Sequence, residues 1–261
     1  MLMRNWKCNL MAVLVSGGFL IAPGGSAFAD VPQFLNAPGI TEAMIPEYFA
    51  VRSFQTVDEA SGKVLVQGKF PELKLTTTQV GEGIFNGLAE INKQSKKKAI
   101  EVVKSLTQTA KEDLSNNALR EQMPYQYFCD ASIVMGNQQG LSVLFNHYMN
   151  AGGAHPSYSY SAENLDKNGN PLTVKDICND VPQLCQVIKN EIIRIGYDRY
   201  CFDVEKSFAD FADKDGAGLV FVRNGESVYF YFSPYVIAPY ASGYSIIELK
   251  YADYPQLLNQ I

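Results

Sequence analysis

The sequence predicts an α+β fold in which antiparallel β-sheets pack against a long helix and a second helical segment. Three observations predict it. Strand-like and helix-like segments come in blocks, without the regular alternation that produces a parallel sheet. One long segment repeats apolar residues at spacings of three and four, as a helix with one apolar face does. Alternating segments are joined by short glycine-containing turns, which is typical of hairpins.

The first block holds two strands and the long helix. Strands are predicted over Tyr48 to Val57 and Lys63 to Phe70, with a turn at Ser61 and Gly62. Because a helix with one apolar face is stable only when that face is covered, we expect the helix to pack on a sheet or on another helix. Its apolar positions are Ile84, Leu88, Ile91, Ile100, Val103, Leu106, Ala110 and Leu114.

The second block contains three strands. Apolar residues alternate from Tyr125 to Ile133, a turn follows at residues 136–140, and the alternation resumes from Leu141 to Phe145, which predicts a hairpin. A third strand, Tyr158 to Leu165, follows the loop at residues 151–156.

The last block returns to helix and then to strands. A helical pattern runs from Val174 to Tyr200, and a shorter helix is predicted from Asp203 to Ala212. The turn Asn224-Gly225 joins strands at Gly218 to Arg223 and Ser227 to Phe232. A closing strand is predicted at Tyr244 to Leu249.

The N-terminus has the order of a secretory signal peptide. Arg4 and Lys7 precede an apolar run from Leu10 to Ala22, and Ala27-Phe28-Ala29 forms the cleavage site. The run is short for a membrane span, although an uncleaved anchor is the alternative. We expect a signal peptide at residues 1–29, an extended leader at 30–47, a strand-strand-helix part at 48–119 and a C-terminal domain at 120–261. The mature protein is then secreted or periplasmic, with no membrane span after cleavage.

The charge of the chain argues against nucleic acid and anionic membranes as partners. The chain has 22 basic and 27 acidic residues, and the predicted signal peptide carries two of the basic ones and none of the acidic ones. Nucleic acid and anionic membranes require clustered lysine and arginine. The single basic run, Lys96 to Lys98, lies in the helical pattern and is interpreted as a solvated helix face.

Four cysteines follow the signal peptide: Cys129, Cys178, Cys185 and Cys201. An even number of cysteines in an exported chain indicates up to two disulfides, in three possible pairings. The short separation of Cys178 from Cys185 favours that pair, which leaves Cys129 with Cys201. Free buried thiols are the alternative, and no C-x-x-C spacing indicates a metal site.

Few residues carry recognisable catalytic chemistry. The only histidines are His147, which lies in a strand pattern and is expected to be packed, and His155, which lies between two glycines and a proline in a constrained loop. His155 either has a function there or braces the loop. Asp166 begins an incomplete calcium-loop pattern, better explained as a turn with side chain to backbone bonds. No serine-hydrolase elbow, zinc-protease or phosphate-loop motif occurs.

The C-terminal part is rich in aromatic residues, including Tyr235 and Tyr240. Strand alternation is expected to bury one side of Tyr229 to Phe232 and to expose the other. The exposed aromatic side chains are expected to stack on sugars or to anchor a protein partner. The alternative is that these side chains only pack within the fold.

Two motifs together resemble a known family. One is Gly152-Gly153-Ala154-His155-Pro156, followed by Asn164-x-Asp166, Gly169 and Leu172 before a helix. The other runs from Phe232-Ser233-Pro234-Tyr235 through Pro239-Tyr240-Ala241-Ser242-Gly243. In this order, the two motifs resemble those of the extracytoplasmic domain of RsiV-type anti-sigma factors. The same domain precedes the catalytic module of PdaC-type peptidoglycan deacetylases.

The resemblance implies an α+β domain outside the membrane, and RsiV-type members bind lysozyme. Because neither a cytoplasmic sigma-binding segment nor a deacetylase module is apparent, we expect the binding function alone. The predicted function is therefore an exported, non-catalytic binding protein of the bacterial cell envelope that recognises lysozyme, a cell-wall glycan such as peptidoglycan fragments, or an envelope protein.

Nine residues are expected to contact the ligand: Gly152, Gly153, His155, Pro156, Asp166, Tyr235, Pro239, Tyr240 and Gly243. Neither a cofactor nor a metal is predicted. The alternative is an envelope hydrolase that acts on peptidoglycan or another glycan with His155 as acid and base, assisted by Asp166 or another carboxylate.

Overall fold

The computed structural model describes residues 48–115 and 123–261. The predicted signal peptide and extended leader lie outside these residues. Within the described ranges, no helix has the length and apolar character needed to cross a membrane.

A five-stranded sheet forms the N-terminal layer, in the order β1-β2-β3-β4-β5. All neighbouring strands are antiparallel except β2 and β3, which are parallel because helix α1 (Thr77–Leu114) crosses between them. The sheet takes strands from both sides of the predicted boundary at residue 120. Its strands are β1 (Phe49–Val57), β2 (Val64–Leu73), β3 (Tyr125–Asn137), β4 (Gly140–Asn150) and β5 (Ser157–Asp166).

Helix α1 covers one face of this sheet with its apolar side. Thr76 and Gln79 form a capping box at its start, and Gly81, with φ of 78°, interrupts its first turns. The predicted apolar face is correct except at Ile100, which is exposed, and at Val103, which lies outside the core; Ala99 and Val102 pack there instead. Ile100 follows Ile91 by nine positions, about two and a half helical turns, which places Ile100 on the opposite side of the helix.

The C-terminal layer combines three helices with a smaller sheet. The predicted second helical segment divides into α2 (Val174–Ile177) and α3 (Val181–Arg194). Helix α4 (Val204–Asp213) follows, and then an antiparallel sheet of β6 (Val220–Arg223), β7 (Ser227–Phe232) and β8 (Ser245–Lys250). All six residues of β7 are buried, so the expectation that one of its sides is exposed is wrong. One side faces the helices, and the other faces the first sheet.

The two layers meet where the smaller sheet packs on the face of the large sheet opposite α1. Val134 and Leu144 of the large sheet share an apolar cluster with Val222, Tyr229 and Tyr231. Buried hydrogen bonds fix this contact: the Arg223 amide donates to Ser142 Oγ at 2.9 Å, and Asn164 Nδ2 donates to the Phe221 carbonyl at 2.9 Å. The predicted α+β class, with its long helix and second helical segment, is confirmed.

Candidate functional site: an aromatic surface on the open end of the large sheet

Strand alternation gives β3, β4 and β5 two different faces. One face points toward α1. It carries Tyr127 and Cys129, which belong to the core beneath the helix, and His147, which lines a cavity there. Their neighbours Phe128 and Tyr148 point the other way. The smaller sheet covers only part of that second face, around Val134 and Leu144, so the opposite end of the face holds aromatic rings.

Strand register brings three of these rings into one row. Phe128 lies opposite Tyr148, and Tyr148 lies opposite Tyr158. The ring centroids of the first pair are 5.7 Å apart, and those of the second pair are 5.4 Å apart. At the end of the row, Lys69 Nζ lies 5.9 Å from the centroid of the Phe128 ring, within reach of a cation–π contact.

Two loops extend the row at its other end. Tyr240 lies with its ring 6.0 Å from that of Tyr158, and His155 stacks on Tyr240 with ring centroids 3.9 Å apart. Tyr235 completes the group at 6.1 Å from Tyr240. We call these six side chains the aromatic surface: Phe128, Tyr148, Tyr158, His155, Tyr235 and Tyr240.

The His155 side chain is held by a hydrogen bond at each ring nitrogen. Its Nδ1 lies 2.9 Å from the carbonyl oxygen of Pro156, and its Nε2 lies 3.2 Å from the Tyr235 hydroxyl. A carbonyl oxygen only accepts, so Nδ1 carries the proton, and in the neutral imidazole Nε2 then accepts from the Tyr235 hydroxyl. His155 therefore both braces its loop and presents an exposed ring.

Local backbone geometry displays Tyr235. Its φ of 68° lies in the left-handed region, which is uncommon for a residue with a side chain. Its amide donates to the Ala238 carbonyl at 2.8 Å, which closes a tight turn. The side chain remains 57% exposed, so a large ring is held in solvent by a backbone conformation that costs free energy.

The structure brings together most of the predicted ligand contacts. Gly152, Gly153, His155 and Pro156 lie in the loop between β4 and β5, and Tyr235, Pro239, Tyr240 and Gly243 lie in the loop between β7 and β8. The contact of His155 with Tyr240 joins these two loops. Sequence reasoning missed Phe128, Tyr148 and Tyr158, because alternation along one strand does not reveal which residue of the next strand lies opposite.

Asp166 is separated from this group. It ends β5, whereas His155 lies just before the start of that strand, and ten residues of strand span about 30 Å. The Asp166 carboxylate accepts hydrogen bonds from the Asn168 and Asn170 amides, both at 2.8 Å, as the turn interpretation predicts. Asp166 therefore does not assist His155.

An ion pair lies beside the aromatic surface. Lys69 Nζ is 3.1 Å from the Asp130 carboxylate, and both side chains are about four-fifths buried. Burial raises the pKa of Asp130, and the Lys69 ammonium acts against this rise. The pair places a fixed cation and a fixed anion at the edge of the rings.

The predicted disulfides are not present, because Cys129, Cys178, Cys185 and Cys201 are all free thiols. Cys129 belongs to the core between α1 and the large sheet, whereas Cys201 packs against the C-terminal core, so these two cannot pair without moving one layer. Cys178 and Cys185 lie in the same core, where burial raises the pKa of Cys185 to about 11. The short sequence separation indicated their proximity, but not a bond.

Comparison with known proteins supports the resemblance seen in the sequence. Residues 83–158 match the family model described as Deacetylase PdaC. The predicted resemblance to PdaC-type domains is thereby confirmed. The matched segment runs from α1 to the start of β5 and includes His155, Phe128, Tyr148 and Tyr158. This family is associated with the cell envelope and is extracytoplasmic.

Two solved structures are similar to this chain over most of its length. A DUF3298 family protein from Pseudomonas aeruginosa PAO1 has a TM-score of 0.50 and 12% identity, over 82% of this chain and 94% of that one. A member of the same family from Bacteroides fragilis has a TM-score of 0.49 and 18% identity, over 82% of this chain and 95% of that one. At these identities the likeness concerns the fold alone. No curated protein matches the chain.

Proposed function

We propose that the chain is an exported binding protein of the bacterial cell envelope, and that its aromatic surface binds a cell-wall glycan without catalysis. The observation that carries the proposal is the contact between the two loops, in which His155 stacks on Tyr240 beside the exposed Tyr235. The PdaC match supports an envelope setting, and the signal-peptide pattern supports export.

The chemistry of the surface suits a sugar chain. The flat C–H face of a pyranose ring is apolar, and its edge carries hydroxyl groups. Tyrosine matches both features, because its ring is apolar and its hydroxyl both donates and accepts hydrogen bonds. Neighbouring rings of the surface lie 3.9–6.3 Å apart, so the row is long enough to contact several consecutive sugars.

The hydrolase alternative loses its named carboxylate, because Asp166 lies about 30 Å along β5 from His155. Asp130 is the carboxylate beside the aromatic surface, and it is paired with Lys69. A glycoside hydrolase requires one carboxyl group as the acid and one as the base. Among residues 48–115 and 123–261, no unpaired carboxylate is identified at this surface for either role.

Calorimetric titration with soluble peptidoglycan fragments tests the proposal. We expect wild-type protein to bind, and Tyr240→Ala to bind at least tenfold more weakly because the central ring of the surface is lost. Phe85→Ala is the matched control, since Phe85 is an exposed aromatic residue of α1, on the other side of the sheet. This control should bind like wild type.

Lysozyme is titrated in parallel, because the acidic chain and the exposed rings also suit a basic protein partner. Binding to lysozyme but not to the fragments would replace the glycan with a protein ligand. Absence of binding to fragments, or equal binding by the Tyr240→Ala and Phe85→Ala proteins, would refute the glycan proposal.

A further inference from the structure

A cavity of about 300 Å³ opens between α1 and the large sheet, on the face opposite the aromatic surface. Ile91 and Phe145 give it apolar walls. Its other eight lining residues are all polar or charged, and they include Lys98, His147, Ser161 and Glu163. Its volume lies at the lower end of the range for sites that bind small molecules.

His147 forms the centre of this polar group. It is only 7% exposed, and its Nε2 lies 2.7 Å from Ser161 Oγ. Its Nδ1 lies 3.0 Å from the Tyr127 hydroxyl. Lys98 Nζ approaches the same Nε2 atom, at 3.2 Å. A hydroxyl, an imidazole and a group that orients the imidazole therefore lie in hydrogen-bonding series.

These contacts determine which ring nitrogen carries the proton. An ammonium group only donates hydrogen bonds, so the Nε2 atom that faces Lys98 must accept. The neutral ring then carries its proton on Nδ1 and donates to the Tyr127 oxygen at 3.0 Å. The lone pair of Nε2 is therefore directed at Lys98 and at the Ser161 hydroxyl.

His147 is also uncharged at neutral pH. Burial, and then the Lys98 charge, lower the pKa of His147 to about 3. Burial raises the pKa of the Glu163 carboxyl on the cavity wall, and Lys98 opposes this rise. The imidazole is thus unprotonated at neutral pH, and its lowered pKa makes it a weaker base than an ordinary histidine, so any turnover is expected to be slow.

We propose that Ser161 and His147 form a second site that cleaves small carboxylic esters, with Ser161 as the nucleophile and His147 as the general base. This site is independent of the proposed glycan surface, because it lies on the other face of the sheet.

The reaction would proceed in two balanced steps. Ser161 Oγ forms a bond to the ester carbonyl carbon as its proton passes to His147 Nε2, and the alcohol leaves with that proton. Water then attacks the acyl-serine, its proton passes to His147, and Ser161 recovers the proton as the carboxylic acid is released. The Lys98 ammonium, which lies 3.2 Å from Nε2, would stabilise an oxyanion that forms beside Ser161.

The cavity limits the substrate to a short acyl chain. Ile91 and Phe145 offer an apolar wall for the acyl group, and Ser161 lies at the partly exposed edge strand β5. Ser161, on β5, would therefore approach the ester carbonyl from the sheet. Lys98, on α1, would approach it from the helix.

Labelling with a fluorophosphonate followed by peptide mass spectrometry tests the assignment. We expect covalent labelling of Ser161, slow turnover of p-nitrophenyl acetate, and loss of both in Ser161→Ala and His147→Gln. Ser159→Ala is the matched control, because Ser159 is the preceding serine on the same face of β5, opposite His147. It should keep labelling and turnover.

Two results would overturn the assignment. One is an unlabelled Ser161 in folded wild-type protein, which does not depend on the folding of any variant. The other is ester turnover that is equal in wild type and Ser161→Ala. Glycan binding should be unchanged in Ser161→Ala, so failure of this site and failure of the aromatic surface are distinguishable.

Tyr127 is a positioning residue in this scheme, since it acts through His147. Nitrogen-15 NMR reports which ring nitrogen carries the proton. We expect a single tautomer protonated at Nδ1 in wild type and a mixture in Tyr127→Phe, together with slower labelling. An unchanged tautomer with unchanged labelling would remove the positioning role.

Discussion

The two faces of strands β3, β4 and β5 differ sharply although their residues alternate along the same chain. Tyr127 and His147 lie beneath α1 in a closed polar group, whereas their sequence neighbours Phe128 and Tyr148 lie in an open row of rings. On one face, polar groups are buried and bonded to one another. On the other face, apolar groups remain near solvent. Each face thus departs from the usual distribution of polar and apolar side chains, and such departures are typical of functional surfaces.

The difference follows from what covers each face. Helix α1 runs across one face and buries Ile84, Leu88 and Ile91 against the sheet. The smaller sheet covers the other face around Val134, Leu144 and Tyr160, and it leaves the rings of Phe128, Tyr148 and Tyr158 half-buried. Substitutions beneath α1 should therefore affect stability, whereas substitutions on the aromatic surface should affect binding.

The largest expected effect is that of Ile84→Ala, which removes a fully buried side chain beneath α1. The lost packing and the remaining cavity should lower the free energy of unfolding by about 3 kcal/mol. Chemical denaturation measures this value. The adjacent exposed residue gives the control, since Phe85→Ala should change stability by less than about 1 kcal/mol. Equal losses in the two variants would contradict the assignment of the buried helix face.

The next effect concerns pH and tests the face of the large sheet that lies beneath α1. Because the pKa of His147 falls from 6.5 to about 3 on folding, the unfolded chain binds more protons between these values, and stability falls as pH decreases through this window. From pH 8 to pH 5 this contribution is about 2 kcal/mol. Lys98, Tyr127 and Ser161 contact the ring. Cys129 lies opposite His147 on β3, and Glu163 lines the same cavity.

Comparison of wild type with His147→Gln separates this contribution from that of the carboxylates. The raised pKa values of Asp130 and Glu163 act in the opposite direction, because the folded state holds their protons more tightly. Both proteins retain these carboxylates. The stability of wild type should therefore decrease more than that of the variant between pH 8 and pH 5, and equal decreases would show that His147 is not the group responsible.

A smaller effect is expected at the ion pair beside the aromatic surface. Lys69→Met leaves the mostly buried Asp130 carboxylate without its cation and should lower the free energy of unfolding by about 1–2 kcal/mol at pH 7, between the values for exposed and buried pairs. The loss should shrink in acid as Asp130 gains a proton. The double variant with Asp130→Asn should recover stability; a double variant no more stable than Lys69→Met would argue against an uncompensated charge.

Local patterns in the sequence predicted the elements well, but not how they meet. Alternation from Tyr125 to Phe145 located β3 and β4, and two loop motifs indicated His155 and Tyr240. The parallel pairing of β2 with β3 could not be predicted, because a long helix separates them in the chain. The same holds for the contact of Ser161 with His147, which depends on the register of β4 against β5. A strand pattern specifies a face, and only the register specifies the neighbour on it.

The smallest expected effect distinguishes the ring of Tyr235 from its hydroxyl. Tyr235→Phe removes one exposed hydrogen bond to His155 and should change the free energy of unfolding by less than about 0.5 kcal/mol. If the aromatic surface binds glycan by stacking, binding of peptidoglycan fragments should also change little in Tyr235→Phe and fall several-fold in Tyr235→Ala. Equal weakening in both variants would instead assign recognition to the hydroxyl and to its hydrogen bond with His155 Nε2, so the aromatic surface would then act through hydrogen bonds, as the polar group beneath α1 does.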